Sequence, residues 1–357
     1  MYLPQYHSIA ENDEWWGEGY TEWTAVKRAQ PLFNGHIQPK VPLDMNYYDL
    51  SDTSAKSWKW QAQIANKYDV YGFCVYHYWF KGHQLLQKPL EILLQHPEID
   101  IRYTMCWANE TWTRTWYGQK KDILMKQEYG VEEDWDAHFQ YLLKFFKDDR
   151  YIKINNKPVL NIYRSSDIQD LGKMREFWDR LAKKNGFDGI YVIAANTHSD
   201  LETRDDIVDA YYDFEPGYTL KHKLNFFQTF FYASKVLLRR VLNNLFNLRL
   251  VEHMIDAQLI NKMMKRNNRR SNKPLFPGAF TMWDNTPRVS YRGTIYKNAN
   301  PETFSNRLKE IHNTINNEEL DFVFINAWNE WGEGCYLEPD SIHQYDYLEM
   351  IKKVIHE

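Results

Sequence analysis

Two glutamates near the end of the chain, Glu330 and Glu333, lie three positions apart in the stretch NAWNEWGEGCYLEP. Cleavage of a glycosidic bond needs one carboxylic acid to protonate the leaving oxygen and a second carboxylate as nucleophile or base. Residues three apart on a strand face opposite sides, so both groups reach one cleft only if the chain turns after Glu330. Gly332 and Gly334 permit such a turn. We therefore predict that Glu330 and Glu333 form a catalytic pair.

Two carboxylates in one small site do not both ionise readily, so we expect one of them to be protonated and to act as general acid. An alternative stays open for either glutamate, and more so for Glu333, in which its carboxylate caps a helix or pairs with an arginine. Glu110 precedes Arg114 by four positions, and Asp284 precedes Arg288 by the same spacing. Each of these two acids is therefore interpreted either as part of the site or as half of an ion pair.

Two histidines, His7 and His77, follow the first two predicted strands, and we predict that they donate hydrogen bonds to substrate hydroxyls. A packing role is the alternative. A metal site needs further ligands at a specific spacing, and the sequence has no HExxH motif. The three cysteines, Cys74, Cys106 and Cys335, have no CxxC spacing. We therefore expect no metal, no cofactor and no disulfide framework.

Aromatic residues are unusually abundant, with 14 Trp and 25 Tyr among 357 residues. Tyr and Trp combine an apolar ring with a polar atom, which suits both core packing and a cleft that binds sugars. A net charge of −4 provides no electrostatic reason to expect nucleic acid as a partner. The sequence shows neither a leader segment nor an apolar run long enough to span a membrane, so we predict a cytoplasmic protein. Because MYLPQYH is typical of the end of a strand, whether residues precede Met1 stays open.

The elements that position these residues alternate between strands and helices. β-branched and aromatic runs predict eight strands: Met1–Tyr6, Val70–Tyr78, Arg102–Trp107, Pro158–Tyr163, Ile190–Asn196, Ala210–Phe214, Phe276–Trp283 and Phe322–Trp328. Helical spacing predicts Asp52–Lys67 with Ser51 as its cap, Leu86–Leu94, Glu132–Lys147, Leu171–Lys184, Pro301–Asn316 and Tyr347–His356. This alternation predicts an α/β fold with a parallel sheet. Eight repeats at this length favour a (β/α)8 TIM barrel over a doubly wound sheet, which would carry a GxGxxG motif.

Active sites of such barrels lie at the carboxyl ends of the strands. Nearly every predicted strand ends in hydrogen-bonding or aromatic residues, and we expect these to converge on the substrate, together with two tryptophans of the loop after the first strand. The predicted substrate-binding residues are Tyr6, His7, Trp16, Trp23, His77, Tyr78, Trp79, Trp107, Asn109, Glu110, Tyr163, Asp213, Glu215, Trp283, Asp284, Asn329 and Trp331.

Two segments interrupt the alternation within a predicted single catalytic domain of residues 1–357. Residues 11–48 form a predicted long loop, dense in Trp, Gly and Pro, and loops of such length are usually functional. Residues 221–273 form a predicted helical insertion between the sixth and seventh strands that is rich in Lys and Arg. We expect this insertion to pack its Leu and Phe residues on the barrel. The alternative is a basic amphipathic surface that contacts anionic glycans or a membrane.

Six motifs together resemble one family of proteins from bacterial polysaccharide gene clusters. They are YLPQYHSIAENDEWWGEGYTEW (2–23), PLFNGHIQP (31–39), FCVYHYWF (73–80), CWANETWTRTW (106–116), MWDNTPR (282–288) and AWNEWGEGCYLEP (327–339). On these motifs the chain resembles the WbsX-type proteins, which are similar to glycoside hydrolase family 99, the endo-α-mannosidases. The resemblance covers nearly the whole chain and is weakest in residues 221–273.

The resemblance implies a role for each glutamate. In the endo-mannosidases the first glutamate of this pattern deprotonates the sugar 2-hydroxyl, which gives a 1,2-anhydro sugar, and the second acts as general acid and then base with net retention. The resemblance thus implies that Glu330 is the base and Glu333 the acid/base. We expect a retaining glycosidase or transglycosylase acting on an oligosaccharide or polysaccharide. The alternatives are a glycosyltransferase of O-antigen or capsular polysaccharide biosynthesis and a glycan-binding barrel without catalysis.

Overall fold

The computed structural model describes residues 1–114, 122–199, 201, 204–266, 271–318 and 322–357. The helices in these residues are α1 Ala10–Trp16, α2 Glu22–Arg28, α3 Lys56–Lys67, α4 Lys88–Gln95, α5 Glu132–Phe146, α6 Leu171–Lys184, α7 Gly217–His222, α8 Phe226–Phe246, α9 Ala257–Met264, α10 Thr286–Val289, α11 Pro301–Glu318 and α12 Asp346–Ile355. The strands are β1 Gly72–Phe80, β2 His83–Leu85, β3 Arg102–Trp107, β4 Trp112–Thr113, β5 Ile123–Met125, β6 Lys153–Ile154, β7 Lys157–Ile162, β8 Tyr191–Asn196, β9 Ala210–Asp213, β10 His253–Asp256, β11 Leu275–Phe276, β12 Gly278–Phe280, β13 Thr294–Lys297, β14 Phe324–Asn326, β15 Asn329–Glu330 and β16 Cys335–Tyr336.

A parallel sheet forms the centre of the molecule. Its strands run in the order β11, β9, β8, β7, β3 and β1, and each neighbouring pair is parallel. The register places Phe73 of β1 opposite Tyr103 of β3. β12 follows β11 after Pro277 and pairs in parallel with β14. The protein therefore has an α/β fold with a central parallel sheet in a TIM-barrel-like arrangement.

The predicted strands correspond to the observed ones, with three differences. The segment Met1–Tyr6 contributes an isolated parallel bridge between Tyr2 and Val75 instead of a full strand. The segment Phe276–Trp283 is divided into β11 and β12, because the intervening proline has no N–H to donate to a neighbouring strand. The segment Phe322–Trp328 is reduced to the short strand β14.

The six predicted helices are present as α3, α4, α5, α6, α11 and α12, with one wrong N-terminus. The helix predicted from Asp52 begins at Lys56, and Ser51 does not cap it. The Asp52 carboxylate instead accepts hydrogen bonds from the backbone N–H and the hydroxyl of Ser54, at 2.9 and 2.7 Å, which forms a local turn. The predicted loop of residues 11–48 was also wrong in part, because it contains α1 and α2.

Much of the aromatic content packs the core. The largest fully buried side chains are Trp58, Trp107, Trp178, Trp328, Trp331, Tyr2, Tyr6, Tyr103, Tyr151, Tyr211, Tyr212 and Tyr336. Tyr2 stacks on Trp58 with ring centroids 4.6 Å apart, and Trp331 stacks on Tyr336 at 3.8 Å. Rings at such distances add specific packing to the buried area. The core-packing explanation therefore accounts for a large share of these residues.

The segment between β9 and β11 lies beside the central sheet. It contains α7, α8, β10 and α9, and β10 pairs in parallel with β13. Ile255 and Tyr296 belong to a small hydrophobic cluster in this region. The expectation that the Leu and Phe residues of this segment pack on the sheet is wrong for α8, because the buried residues of that helix are Val236 and Asn243. The basic stretch at 265–273 lies partly outside the described residues.

Candidate active site

A cleft with a volume of about 920 Å³ opens beside the carboxyl ends of the central strands. The predicted site residues that line it are Tyr78, Glu110, Tyr163, Trp283, Glu330 and Glu333. The carboxyl ends of parallel strands meet on one side of a TIM-barrel-like sheet, so residues distant in sequence come together there. The cleft is therefore the candidate active site.

A tight hairpin delivers the two glutamates to this cleft. Glu330 ends β15, residues Trp331–Glu333 form one turn of 3₁₀ helix, and β16 returns antiparallel to β15. The turn predicted after Glu330 is thus confirmed. Gly334 closes it at a φ of +59°, where a Cβ would stand 2.9 Å from the backbone oxygen of Asp284. A side chain at Gly334 would therefore strain the turn and push against the neighbouring loop.

One arginine contacts three carboxylates at this hairpin. The Arg288 guanidinium donates from Nη1 to Glu333 Oε1 at 2.5 Å and from Nε to Glu22 Oε1 at 2.8 Å. Its Nη2 lies 4.0 Å from Glu330 Oε1. The alternative in which Glu333 pairs with an arginine is therefore realised, while Glu333 still lines the cleft. A Cβ at Gly332 would overlap the Glu22 carboxylate, so glycine there is what lets Glu22 reach the guanidinium.

The carboxyl group of Glu330 favours its neutral form. Burial raises the pKa of Glu330 well above its ordinary value, and the neighbouring Glu333 raises that pKa further by charge and by a hydrogen bond. Arg288 opposes these effects and Glu22 reinforces them. In the free protein these effects favour the protonated form of Glu330, and Glu333 accepts a hydrogen bond from the guanidinium.

Aromatic and phenolic side chains form the walls of the cleft. Tyr76 and Tyr163 meet edge to face with ring centroids 6.4 Å apart. Burial raises the pKa of both phenols well above the ordinary value, so they stay neutral and can donate hydrogen bonds. Glu110 also faces the cleft, and its ion-pair partner is Arg164 at 2.8 Å. The pairing considered for Arg114 does not form, because that guanidinium donates to the backbone oxygen of Trp15 at 3.0 Å.

Three residues predicted in the site, His77, Trp79 and Trp107, face away from the cleft because side chains alternate along a strand. Tyr76 and Tyr78 face the cleft, so the intervening side chain of His77 faces the helices. There His77 Nε2 lies 2.9 Å from His138 Nε2 of α5. Trp79 stacks on the same imidazole at 4.6 Å, and Trp107 packs edge to face on it at 4.7 Å. His77, Trp79 and Trp107, which were predicted to contact substrate, therefore lie outside the lining of the cleft.

Tyr6, Trp23, Asn329 and Trp331, also predicted in the site, support the hairpin from behind. The Tyr6 hydroxyl donates to the backbone oxygen of Asn329 and accepts from the Trp331 N–H at 3.2 Å. The Trp331 ring lies 5.6 Å from Trp23, and its Nε1 donates to the buried Glu338 at 2.7 Å. These residues position Glu330 and Glu333 without lining the cleft.

The other two predicted residues of the N-terminal region also lie away from the cleft lining. His7 is buried, and its Nδ1 lies 3.1 Å from the backbone oxygen of Pro4. Burial lowers the pKa of His7 below its ordinary value, so this ring is a neutral packing group. Trp16 lies under the guanidinium of Arg114, which is 5.3 Å from the ring centroid. The packing alternative therefore holds for His7.

The remaining predicted residues are buried behind the cleft wall and bind other parts of the chain. The Asn109 amide donates to the Arg164 backbone oxygen at 2.8 Å. Asp284 accepts from Gln38 Nε2 at 2.7 Å and from the Thr286 hydroxyl at 2.6 Å, and not from Arg288. Asp213 and Glu215, at the end of β9, likewise have internal partners. Their placement corrects the prediction that they contact substrate.

Several cleft residues were missed by the sequence analysis. Arg288 was considered only as a partner of Asp284, and no sequence signal connects it with Glu22. Tyr76 could have been found, because it shares a strand face with Tyr78. Tyr232 comes from a segment outside the predicted strands. The further missed residues of the lining include Gln5, Trp112, His198, Asn285 and Tyr296.

Comparison with known proteins identifies the family of the chain, and with it a carbohydrate-active class of protein. The family model described as "Glycosyltransferase WbsX" matches residues 1–351, and the chain belongs to this family. Two strains of Xanthomonas campestris pv. campestris have an "Uncharacterized protein WxcX" that is 32% identical over 358 residues. The match covers 99% of this chain and 49% of that relative, so the chain spans about half the length of the curated relatives.

Solved structures share the fold. The GH99 endo-alpha-mannosidase from Bacteroides thetaiotaomicron aligns with a TM-score of 0.59 at 14% identity, over 99% of this chain and 95% of that one. A protein described as "Glycoside hydrolase-like protein" aligns with a TM-score of 0.57 at 12% identity, over 91% and 92% of the two chains. At these identities the likeness concerns the fold alone. The predicted relation to the WbsX family and to the family 99 fold is confirmed.

The described residues contain neither a membrane-spanning helix nor a cluster of metal ligands. No helix among them is both long and apolar enough to cross a bilayer. In the same part of the chain, no group of three or more His, Cys, Asp and Glu side chains is placed to hold a metal ion. The polar residues of the cleft lining include carboxylates, phenols, the amides of Gln5 and Asn285, His198, Lys221 and Arg288.

Proposed function

We propose that the protein is a retaining glycoside hydrolase or transglycosylase that acts on a bacterial or mannose-containing glycan. The observation that carries this proposal is the delivery of Glu330 and Glu333 by one hairpin into one cleft of about 920 Å³. Two carboxyl groups on one side of a sugar meet the requirement for acid and base in glycosidic bond cleavage. The cleft has the size of sites that enclose ligands of several hundred daltons.

The proposed reaction uses both glutamates in the roles implied by the family resemblance. Glu330 removes the proton of the sugar 2-hydroxyl, and the resulting oxygen attacks the anomeric carbon as the glycosidic bond breaks. Glu333 donates its proton to the leaving oxygen. A water or sugar hydroxyl then gives a proton to Glu333 and opens the 1,2-anhydro sugar, while Glu330 returns its proton to the 2-oxygen. The configuration at the anomeric carbon is retained.

These roles require the proton of the pair to lie on Glu333 when the substrate is bound. In the free protein burial, together with the charge and the hydrogen bond of Glu333, raises the pKa of Glu330 and favours its protonated form. We propose that the sugar 2-hydroxyl replaces this hydrogen bond and that the proton passes to Glu333. Arg288 supports the proposal, since a cation that contacts both carboxyl groups stabilises either arrangement of their single negative charge.

Aromatic and phenolic side chains are proposed to hold the sugar between these carboxyl groups. Tyr78, Tyr163 and Trp283 line the cleft and offer flat apolar rings together with hydroxyl or N–H donors. Sugars present C–H faces and hydroxyl edges that match both features. Glu110 is proposed to accept a hydrogen bond from a substrate hydroxyl, while Arg164 keeps it in place.

The sheet is proposed to close into an eight-stranded barrel within a single domain of residues 1–357. The backbone N–H of Tyr2 donates to Cys74 of β1 at 2.8 Å, and the backbone oxygen of Met1 accepts from Trp328, just after β14, at 2.7 Å. The first residues thus lie between the two edges of the parallel strands. Closure would leave no open edge. The predicted cytoplasmic location stays a prediction, to be tested by cell fractionation.

A glycosyltransferase is the second candidate, because the matching family model carries that description. A transferase would extend a glycan from an activated donor instead of rearranging existing glycosidic bonds. A glycan-binding barrel without catalysis would do neither. The three candidates therefore differ in their products.

The decisive experiment is mass spectrometry of glycans after incubation without any nucleotide sugar. α-Mannans, high-mannose oligosaccharides and bacterial polysaccharides are incubated with the wild type, with Glu330→Gln and with Glu215→Gln as the control for a buried glutamate outside the cleft. Shortened or rearranged glycans are expected from the wild type and the control, and a loss of about 100-fold or more from Glu330→Gln. Chain extension that occurs only with an added nucleotide sugar would overturn the proposal in favour of a transferase.

A further inference from the structure

Helix α8 exposes a large apolar surface to solvent. Eight of its Phe and Leu side chains have exposed fractions between 60% and 78%. They are Phe226, Phe227, Phe230, Phe231, Leu237, Leu238, Leu245 and Phe246. Of the 21 residues in the helix, the buried ones are Val236 and Asn243. An apolar surface of this kind on a folded protein marks an interaction site.

The exposed side chains form one continuous stripe. Residues 226, 230, 237 and 241 repeat with helical spacing, and residues 227, 231, 238 and 245 form a parallel row beside them. Val236 and Asn243 lie on the opposite face, which packs on the protein. The stripe therefore points directly away from the body of the molecule. A helix in water does not hold such a face without a partner.

The charges of the helix and of Arg249 in the loop after it are positive, and one of them, Arg240, pairs with the buried Glu252 at 2.9 Å. Helix α8 contains Lys235, Arg239 and Arg240 and no acidic residue, and Arg249 follows it. Lys235 Nζ lies 4.3 Å from the Phe231 ring centroid, at the edge of the stripe. A second copy of this helix would bring the same positive charges together. An anionic lipid surface offers both an apolar layer for the stripe and negative headgroups for its edges.

The helix is also part of the cleft. Thr229 and Tyr232 of α8 line the same cavity as Glu330 and Glu333. The Tyr232 hydroxyl lies 2.6 Å from His253 Nδ1 of β10, which ties the helix to the neighbouring elements. A surface bound by the exposed face of α8 would thus lie beside the opening of the cleft.

We propose that α8 lies in the interface of an anionic lipid bilayer and holds the cleft beside glycans carried on that surface. The first half of this proposal stands on the helix alone. The second half rests on the proposed glycan chemistry. The helix lies along the membrane plane, since its three basic residues oppose insertion across the bilayer.

The test is flotation of the purified chain with lipid vesicles that contain no glycan. Vesicles of phosphatidylcholine are compared with vesicles of equal parts phosphatidylcholine and phosphatidylglycerol. We expect binding to the anionic vesicles that weakens as salt is added, and little binding to the neutral ones. Because no glycan is present, the result does not depend on the proposed reaction.

An apolar triple variant tests the stripe. Phe227→Ser, Phe231→Ser and Leu238→Ser together are expected to weaken vesicle binding by about 100-fold, because three side chains no longer enter the lipid. The matched control combines Phe33→Ser, Leu43→Ser and Ile123→Ser, which are also exposed but lie outside α8. The control is expected to bind like the wild type. Circular dichroism and the thermal midpoint verify that both triple variants fold.

A charge variant tests the basic edges. Lys235→Glu with Arg249→Glu is expected to weaken binding to the anionic vesicles by more than about tenfold. The control pair Lys183→Glu and Lys184→Glu makes the same charge change at exposed positions of α6 and is expected to bind normally. Equal binding of all variants would overturn the proposal. Absence of vesicle binding, with dimers in light scattering that the apolar triple variant converts to monomers, would overturn it in favour of a second copy.

Discussion

Two pairs of carboxylates follow strands of the same sheet, and their surroundings differ. Asp213 and Glu215 lie at the end of β9, two positions apart, whereas Glu330 and Glu333 lie at the end of β15. Both pairs were predicted as site residues, and all four side chains are mostly buried. Only the second pair lines the cleft. Burial and position after a strand therefore do not distinguish a site from a structural cluster.

The hydrogen-bond partners of the first pair explain the difference. Asp213 Oδ2 lies 3.1 Å from Lys223 Nζ, and its Oδ1 accepts from Asn196 at 3.1 Å. Glu215 accepts from the hydroxyl and the backbone N–H of Thr219, at 2.6 and 3.1 Å. Each carboxylate thus uses its acceptor capacity on its own chain. Buried acids that are fully partnered hold a structure together.

At the hairpin the carboxyl groups outnumber the cations that face them among the described residues. One guanidinium, Arg288, faces the carboxyl groups of Glu22, Glu330 and Glu333. This one cation faces three carboxyl groups, burial raises the pKa of Glu330 well above its ordinary value, and Glu330 and Glu333 line the cleft. Perturbed acidity next to a cavity is typical of catalytic sites. The pair that lines the cleft is the one that we propose to act on a substrate.

The largest expected effect is the loss of activity when a glutamate of the hairpin is replaced. Glu330→Gln is expected to lower kcat/KM by about 1,000-fold on all glycosides, because no base remains for the 2-hydroxyl. Glu333→Gln is expected to lose as much on natural glycans and much less on activated aryl glycosides, whose leaving groups need no proton. Steady-state kinetics on both substrate types provides the measurement. Equal and mild losses in the two variants would contradict the assignment.

The next largest effect concerns the stability of the structural pair. Lys223→Met leaves Asp213 buried without its cation and is expected to lower the free energy of unfolding by about 3 kcal/mol. The control Lys221→Met removes an exposed lysine and is expected to change it by less than about 0.5 kcal/mol. Chemical denaturation measures both. A similar small change in the two variants would show that Asp213 is not a structural acid.

The next prediction concerns the pH dependence of stability that Glu215 of the structural pair causes. Burial, reinforced by Asp213, raises the pKa of Glu215 to about 7. The folded protein therefore keeps a proton that the unfolded chain releases at lower pH, so this contribution to stability is full below the ordinary pKa of glutamate and is lost as pH rises to about 7. In Glu215→Gln the free energy of unfolding is expected to decrease less over this pH range than in the wild type, with a difference of at most about 3 kcal/mol. Urea denaturation at several pH values measures the free energy of unfolding. The same fall with pH in Glu215→Gln as in the wild type would refute the prediction.

The smallest expected effect is a shift in the pH profile of activity. Glu330 acts as a base only when ionised, and Glu22 raises its pKa. Glu22→Gln is therefore expected to move the acid limb of the kcat/KM profile to lower pH, and Arg288→Gln to move it to higher pH. Glu18→Gln, an exposed glutamate, is the control. A shift of the same sign in the Glu22 and Arg288 variants would contradict the charge balance described for the hairpin.

A large part of the fold was predictable from the sequence. The strands β3, β7, β8 and β9 and the helix α6 were predicted within one residue at either end, because runs of β-branched residues and helical spacing are local signals. The turn after Glu330 was also predictable, since two glycines follow it. The short helices in residues 11–48 were not, because their sequences lack a long periodic stretch.

The sequence by itself determined the order of strands and helices, the pair of glutamates and the turn between them, because each depends on residues that are near one another in the chain. Only the tertiary structure decided which strand-end acids face the cleft, that Arg288 contacts Glu22 and Glu333 instead of Asp284, and that the apolar stripe of α8 remains uncovered. Those outcomes depend on the direction of each side chain from its strand and on contacts between residues up to 266 positions apart. No local pattern carries that information, since the direction follows from the register and packing of the whole sheet.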